Sequence, residues 1–396
     1  MNSGKDNNLI KKSSCCLFLF QKRIMKYIVN LIAVLFLLFQ AVGCAVPSEK
    51  KSAKNAGTGF NIQRGVNLSH WLSQTDRKGN ERASFMKEDD FKRIAGFGYD
   101  HVRLPLDEVH LWNEEGEKDT AAFELVHKAI KWSKENGLSI IADLHVVRSH
   151  YFNADVRPLW NDPEAQDEFV EMWMEISDEL GNYPNDLLAY ELLNEAVADD
   201  SDDWNRLIAK TLKALREKEP ERMVIIGSNR WQSVNTFDEL QIPENDSCII
   251  LSFHFYSPHV FTHYRAPWSS KVGFYNGSVH YPGHPIQEKD LTPYDSAQIK
   301  SLTADDAFYN RAYIQERIQE PIEFAKKRNL QLYCGEFGCY PTTLLEDRVK
   351  WYADVTAVFE KNDIAWANWD YKGGFGIVDG ETGKPQKKII NALVGE

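Results

Sequence analysis

From Phe60 onward the sequence predicts an α/β protein: a single (β/α)8 TIM barrel with a long loop after its sixth strand. Three observations point there. Apolar runs of strand length alternate with helix-length amphipathic stretches. That alternation implies parallel strands and right-handed crossovers. There are eight such runs, and eight units in about 250 residues or more is the range of this barrel. Polar residues gather where the runs end, as a fold with its site at the strands' C-terminal face demands.

The strand-like runs are residues 62–68, 101–106, 138–145, 187–194, 223–227, 248–256, 330–335 and 364–371. Helical patterns between them include 121–135, 167–180, 204–217, 309–327 and 345–361. Residues 385–394 supply a last helix, with Pro385 placed where a first turn tolerates it. A doubly wound open sheet is the structural alternative. Its dinucleotide-binding form needs a Gly-rich loop after the first strand, and Gly65-Val66-Asn67-Leu68 offers none. The connection 257–305 is too long for a plain crossover and is rich in aromatics and His, among them Tyr264, Trp268, Phe274, Tyr275, His280, Tyr281 and His284. Loops of this length are usually functional. It reads as a lid or cleft wall, or as an insertion packed against the barrel.

Residues 1–43 read as a signal peptide, with Met25 the more natural start. Lys22, Arg23 and Lys26 precede the apolar run 31–39, and small residues follow up to Cys44. A spanning helix needs about 20 apolar residues, more than this run supplies. Cys44 directly after Gly43 resembles a bacterial lipobox, in which that Cys is lipidated; an ordinary signal with an incidental Cys is the alternative. Residues 44–59 read as a flexible tether of mostly Lys, Ser, Ala and Gly, and 60–396 as the barrel. Localisation follows: exported and lipid-anchored at the cell envelope, with no other membrane contact.

The chain carries a net charge of −12. Residues 1–43 hold +5, from six basic residues and Asp6, which leaves −17 on the body. An acidic body repels phosphate backbones and argues against nucleic acid. Beyond Cys44 only Cys248, Cys334 and Cys339 remain, too few for a disulfide framework. Cys248 and Cys334 read as small buried hydrophobes, and a Cys334–Cys339 bridge stays open. No CxxC pattern occurs. His259 and His263 are four apart but lack the Glu of the metalloprotease motif, so neither metal nor cofactor is expected. No nucleophile-elbow serine is present either.

The ring of polar strand ends is the chemical signal. Asn67, Arg103, His145, Asn194 with Glu195, Asn229 with Trp231, His254 with Tyr256, Glu336 and Trp369 stand at or just past the eight runs. A full ring is hard to explain as packing. Two of its members, Glu195 and Glu336, are carboxylates facing one site, the pattern that cleaves glycosidic bonds: one acts as acid, the other as nucleophile or base. Taken singly, either would read as a solvated charge.

The motifs Arg64-Gly65-Val66-Asn67, His101-Val102-Arg103-Leu104-Pro105, Asp143-Leu144-His145, Leu193-Asn194-Glu195, His254-Phe255-Tyr256, Gly335-Glu336-Phe337-Gly338 and Trp369 occur in this order from residue 60 to about 385. In that set the chain resembles family 5 glycoside hydrolases of the clan A barrels. The resemblance implies Glu195 as general acid/base and Glu336 as nucleophile. It implies Asn194 on the sugar 2-hydroxyl, Tyr256 on the nucleophile, His145 and His254 beside the scissile bond, and Trp369 beneath the reacting sugar. Arg103 is expected below the nucleophile, keeping it ionised, with a barrel-core ion pair as its plainer reading. Glu191 shares the strand parity of Glu195 and is expected to point inward as its partner. Trp231 and Trp268 are candidate flanking platforms; Trp366, of opposite parity to Trp369, and the helical Trp132, Trp173 and Trp351 read as packing. The implied activity is a retaining endo-β-1,4-glucanase acting on a polysaccharide or oligosaccharide. A β-mannanase or β-1,3-glucan hydrolase is the alternative in the same class. A non-catalytic surface glycan-binding protein is the alternative in another, and two intact Glu motifs disfavour it.

Overall fold

The computed structural model describes residues 59–395. The signal segment, Cys44 and all of the tether except Gly59 lie outside the described residues. Eight strands, β1 (Arg64–Asn67), β2 (His101–Asp107), β3 (Ser139–Val146), β4 (Leu188–Glu191), β5 (Val224–Gly227), β6 (Ile249–Phe255), β7 (Gln331–Phe337) and β8 (Ile364–Asn368), close in sequence order into a barrel. Every pairing is parallel, including β1 with β8. The longer helices around it are α1 (Glu88–Gly96), α2 (Thr120–Glu135), α3 (Pro163–Leu180), α4 (Ser201–Lys218), α5 (Gln319–Arg328), α6 (Leu345–Lys361) and α7 (Lys387–Val394). Asp119, Asp162 and Asp200 cap α2, α3 and α4 by accepting from backbone N–H groups of the first turn.

The structure departs from the sequence reading in four places. The fourth strand stops at Glu191, so residues 192–195 leave the sheet. The pattern over 309–327 is broken at Ile318 into Arg311–Arg317 and α5. Pro385 bridges to Val378 outside α7, which starts two residues later at Lys387. Alternation of strand and helix is not strict: only the short turns Asn229–Gln232 and Val234–Thr236 join β5 to β6.

Two apolar populations follow from strand parity. Ile141, Ala189, Ile225, Ile250, Tyr333, Ala365 and Ala367 point inward and, with Phe60, Ile62 and Met223, fill the barrel. Val102, Leu104, Ile140, Leu188, Leu251, Cys334 and Trp366 point outward under the helices. Trp366 is thus packing, as parity indicated. Trp173 of α3, Trp204 of α4 and Trp351 of α6 are buried, and their indole N–H groups donate to the carbonyls of Leu192, Gly227 and Ser257 at 2.9–3.1 Å. These carbonyls lie at or just past the ends of β4, β5 and β6, so each indole serves an acceptor near a strand end while its rings fill the helix–sheet layer.

Residues 257–305 pack against the barrel. Val260, Phe261, Val272, Tyr275, Val279 and Tyr281 are buried in the core, and the Tyr281 hydroxyl donates to Asp354 of α6 at 2.8 Å. Trp268 alone among its large apolar side chains is strongly exposed. Cys248, Cys334 and Cys339 are free, so the Cys334–Cys339 bridge does not form. Cys339 instead lies against the Phe261 carbonyl. No helix among the described residues is long and apolar enough to cross a membrane.

Candidate active site

The parity that fills the lower barrel with apolar residues carries Asn67, Arg103, Asp143, His145, Glu191 and His254 into its upper interior. Arg103 sits at the centre and is fully buried. All five of its N–H groups are used. Nε donates to Glu191 Oε2 at 2.6 Å, and Nη2 donates to Glu191 Oε1 at 3.0 Å and Asn194 Oδ1 at 2.9 Å. Nη1 donates to Asn67 Oδ1 at 2.9 Å and Glu336 Oε1 at 2.8 Å. Asp143 Oδ2 lies 3.0 Å from Nη2 as a third carboxylate on the same cation. Burial opposes the charge on Arg103, but Asp143, Glu191 and Glu336 outweigh it and hold the guanidinium protonated. Both readings of Arg103 therefore meet: it is a core ion pair and it also holds Glu336. Glu191 points inward and is the bidentate partner of Arg103.

Glu336 reaches the site through a β-bulge. Its outward-facing neighbour Cys334 shares its parity, so an unbroken strand would turn Glu336 out of the barrel. The pairing of β6 with β7 runs Phe253 to Cys334, then skips Gly335 and sets His254 opposite Glu336. One extra residue thus reverses the direction of the side chain. The Cys334 thiol donates to the Glu336 carbonyl at 3.2 Å across the bulge.

Glu195 stands beyond the end of β4, in the left-handed region at φ 47°. Its backbone is held at both ends: the N–H donates to Gln232 Oε1 at 2.9 Å, and the carbonyl lies 3.1 Å from His150 Nε2. Gln232 also donates to Glu191 at 3.3 Å and to Ser252 at 2.8 Å. It lies over Gly227, where a Cβ would come within 2.2 Å of the Gln232 Cγ, so only glycine leaves room for it.

The two glutamates have different surroundings. Glu336 accepts from Arg103 and, at 2.9 Å, from the Tyr256 hydroxyl. Glu195 is paired with His254 Nδ1 at 2.9 Å and touches no cation within the described residues. His254 Nδ1 and one oxygen of each glutamate all lie within 4.8 Å of one another. Burial and the charge of Glu336 raise the Glu195 pKa well above the usual carboxylate range. Burial also raises Glu336, but the Arg103 charge and the Tyr256 hydroxyl counter it, so Glu195 is raised the further of the two. Burial keeps His254 neutral.

Two aromatic walls flank the pair. On one side Trp369 stacks on His145 with centroids 5.6 Å apart and planes at 9°. Phe152 meets His145 edge-on at 5.8 Å, and the Trp231 indole N–H donates to the Phe152 carbonyl at 3.1 Å. On the other side Tyr256 lies 6.2 Å from Phe375, which packs with Tyr340 at 5.4 Å and Trp268 at 6.1 Å. Trp231 and Trp268 are 39% and 55% exposed, so both offer a free face. Asn229 is not at the centre; it ties the loop after β4 through both directions of hydrogen bonding with Ala198. His259 and His263 stack at 4.1 Å beside Tyr256. Sequence reading missed Gln232, Gln74 and the site role of Asp143. Gln74 Nε2 lies 3.0 Å from His145 Nε2, and its backbone N–H donates to Asp107 at 2.7 Å. Asp143 stood in the Asp143-Leu144-His145 motif and has inward parity, but was given no role of its own.

Residues 54–374 match the cellulase family, glycosyl hydrolase family 5. The chain belongs to this family. Endoglucanase C of Acetivibrio thermocellus is 32% identical over 337 residues, covering 84% of this chain and 98% of its own length. Cellodextrinase A of Ruminococcus flavefaciens is 30% identical, over 77% of this chain and 84% of its own. Among solved structures, endoglucanase Cel5A of Thermotoga maritima superposes with a TM-score of 0.70 at 26% identity, covering 86% of this chain and 99% of that one. Cel5A has also been solved with mannotriose. The family 5 chain is thus an endoglucanase-like glycoside hydrolase on a (β/α)8 barrel.

Removing Arg103 strands three buried carboxylates. Arg103→Met is expected to lower stability by about 3–5 kcal/mol, read as a fall in the urea midpoint, with loss of activity. An unchanged midpoint would mean that the carboxylates do not depend on it.

Proposed function

We propose that this chain is an exported, lipid-anchored, retaining endo-β-1,4-glucanase. The observation that carries the mechanism is the spacing of Glu195 and Glu336, whose nearest oxygens lie within 4.8 Å. Retaining pairs stand about 5–5.5 Å apart, whereas inverting pairs need roughly 6.5–9.5 Å to seat a water. The close pair favours double displacement.

In this reading Glu336 is the nucleophile. Arg103 and Tyr256 hold its two oxygens and stabilise the carboxylate that attacks the anomeric carbon. Glu195 is the acid/base, because burial without a cation keeps it protonated. It gives its proton to the leaving oxygen as the Glu336–sugar bond forms, then takes a proton from the water that releases the sugar. His254, neutral and fixed on Glu195, orients that carboxyl. Arg103 engages Asn194 Oδ1, which leaves the amide NH2 for the sugar 2-hydroxyl. Trp369 is the platform for the reacting sugar, His145 lies beside it, and Trp231 and Trp268 are platforms further along the cleft.

The β-1,4-glucan assignment rests on the endoglucanase and cellodextrinase relatives. The mannotriose complex of Cel5A favours β-mannan as the second reading. Export rests on the order of basic, apolar and small residues before Cys44. Labelled palmitate incorporated by the full chain and lost in Cys44→Ala tests the anchor; equal labelling of both would remove it.

The direct test is reducing-sugar release by residues 45–396 beside the Glu336→Ala variant. The panel holds carboxymethylcellulose, mixed-linkage β-glucan, laminarin, glucomannan, galactomannan and xylan. The expected result is release from the β-1,4-glucans that vanishes in the variant; release confined to the mannans selects the second reading. Glu195→Ala is expected to lose about 10²–10⁴-fold on substrates with poor leaving groups, and far less on dinitrophenyl glycosides, where added azide should raise the rate. Equal loss on all substrates would remove Glu195 from the acid role.

A further inference from the structure

The polar layer around Arg103 holds more carboxylates than the guanidinium can serve. Its five N–H groups go to Glu191, Asn194, Asn67 and Glu336. Asp143 lies 3.0 Å from Nη2 but receives none of them. It is fully buried. Oδ2 faces His145 Nδ1 at 2.7 Å, and Oδ1 has no hydrogen-bond partner within the described residues. A buried carboxylate so placed is costly unless it is neutral.

We propose that Asp143 and His145 together store one proton beneath the catalytic centre, and that Asp143 is a positioning residue setting the alkaline limit of activity. This rests on Glu195 being the acid, as proposed above. In the protonated state the Asp143 hydroxyl donates to His145 Nδ1, and His145 Nε2–H donates to Gln74. The Gln74 amide can serve either tautomer by turning over, since its oxygen and nitrogen occupy equivalent places. One positive charge is then shared by Glu191 and Glu336 alone.

The groups facing the pair agree. From β2 come Arg103 and the buried Asp107, whose own Oδ1 also lacks a partner among the described residues. From β4 comes Glu191, with Glu195 beyond it, and from β7 come Tyr333 and Glu336. Of these Arg103 favours ionisation of Asp143, and the negative charge of Asp107 disfavours it. Burial raises the Asp143 carboxyl to about 7 against the pull of Arg103, while burial lowers His145 to about 4. The stored proton therefore resides on Asp143. It leaves as pH rises through about 7. The new negative charge then raises Glu195 further, so the acid keeps its proton in the range where it would otherwise lose it.

Two measurements test this. In a Glu195→Gln background, infrared spectra should hold a protonated-carboxyl carbonyl band at acidic pH. The part of that band lost on adding Asp143→Asn, read as the difference between the two variants' spectra, should fade as pH passes neutrality. The absence of any such difference band at every pH, or one that does not change with pH, would overturn the stored proton, whatever the fate of the glycosidase reading. Asp143→Asn alone should move the alkaline limb of kcat/KM to lower pH, by on the order of half a unit, with the acidic limb in place. A uniform loss at every pH, with both limbs unmoved, would mean that Asp143 only holds His145 in position.

Discussion

A single guanidinium organises this molecule. Arg103 is buried where water cannot reach it, and it answers that cost by meeting carboxylates and amides from β1, β4, the loop after β4 and β7. Because its donors form a planar fork with fixed directions, each partner's position is set once Arg103 is placed. One cation also cannot neutralise several acids equally. Glu191 takes the bidentate contact, Glu336 takes one donor, Glu195 takes none, and that unequal division is what sets two chemically identical side chains apart. The aromatic walls and the packed segment 257–305 shape the cleft around this centre without entering it.

The barrel was legible because parallel strands buried on both faces read as continuous apolar runs, and here most of the eight were separated by helical patterns. The polar ring was legible for the same reason, since it interrupts those runs at their ends. Two features were not. The bulge at Gly335 leaves no mark in periodicity, so parity alone would have turned Glu336 outward; the motif named it and the skipped register explains how it arrives. Glu195 lies past the strand in a left-handed turn, so parity gave the inward direction of Glu191 but does not extend to Glu195. Gln232 and Gln74 are ordinary polar loop residues whose roles exist only once β5 ends in a glycine and the loop after β1 folds over His145.

Residues 257–305 combine the two readings their composition left open. Most of their aromatics are spent on packing, which the burial of Tyr275 and Tyr281 makes plain, and Trp268 is kept at the rim. Lys271 of this segment lies 5.4 Å from the Trp231 ring centroid, so the loop after β6 also leans on the loop after β5. In the proposed reading these two indoles at the rim and Trp369 in one wall serve an extended chain of sugars, whose C–H faces pack on aromatic planes while their hydroxyls meet the polar ring.

On the proposed mechanism, Arg103 and Tyr256 make Glu336, and not Glu195, the group that attacks carbon. The most direct measurement is covalent trapping: incubation with a 2-deoxy-2-fluoro cellobioside bearing a good leaving group, followed by peptide mass spectrometry. One glycosyl adduct is expected, on the peptide holding Glu336, with loss of activity in step. An adduct on Glu195, or full turnover to product of inverted configuration with no adduct, would contradict it.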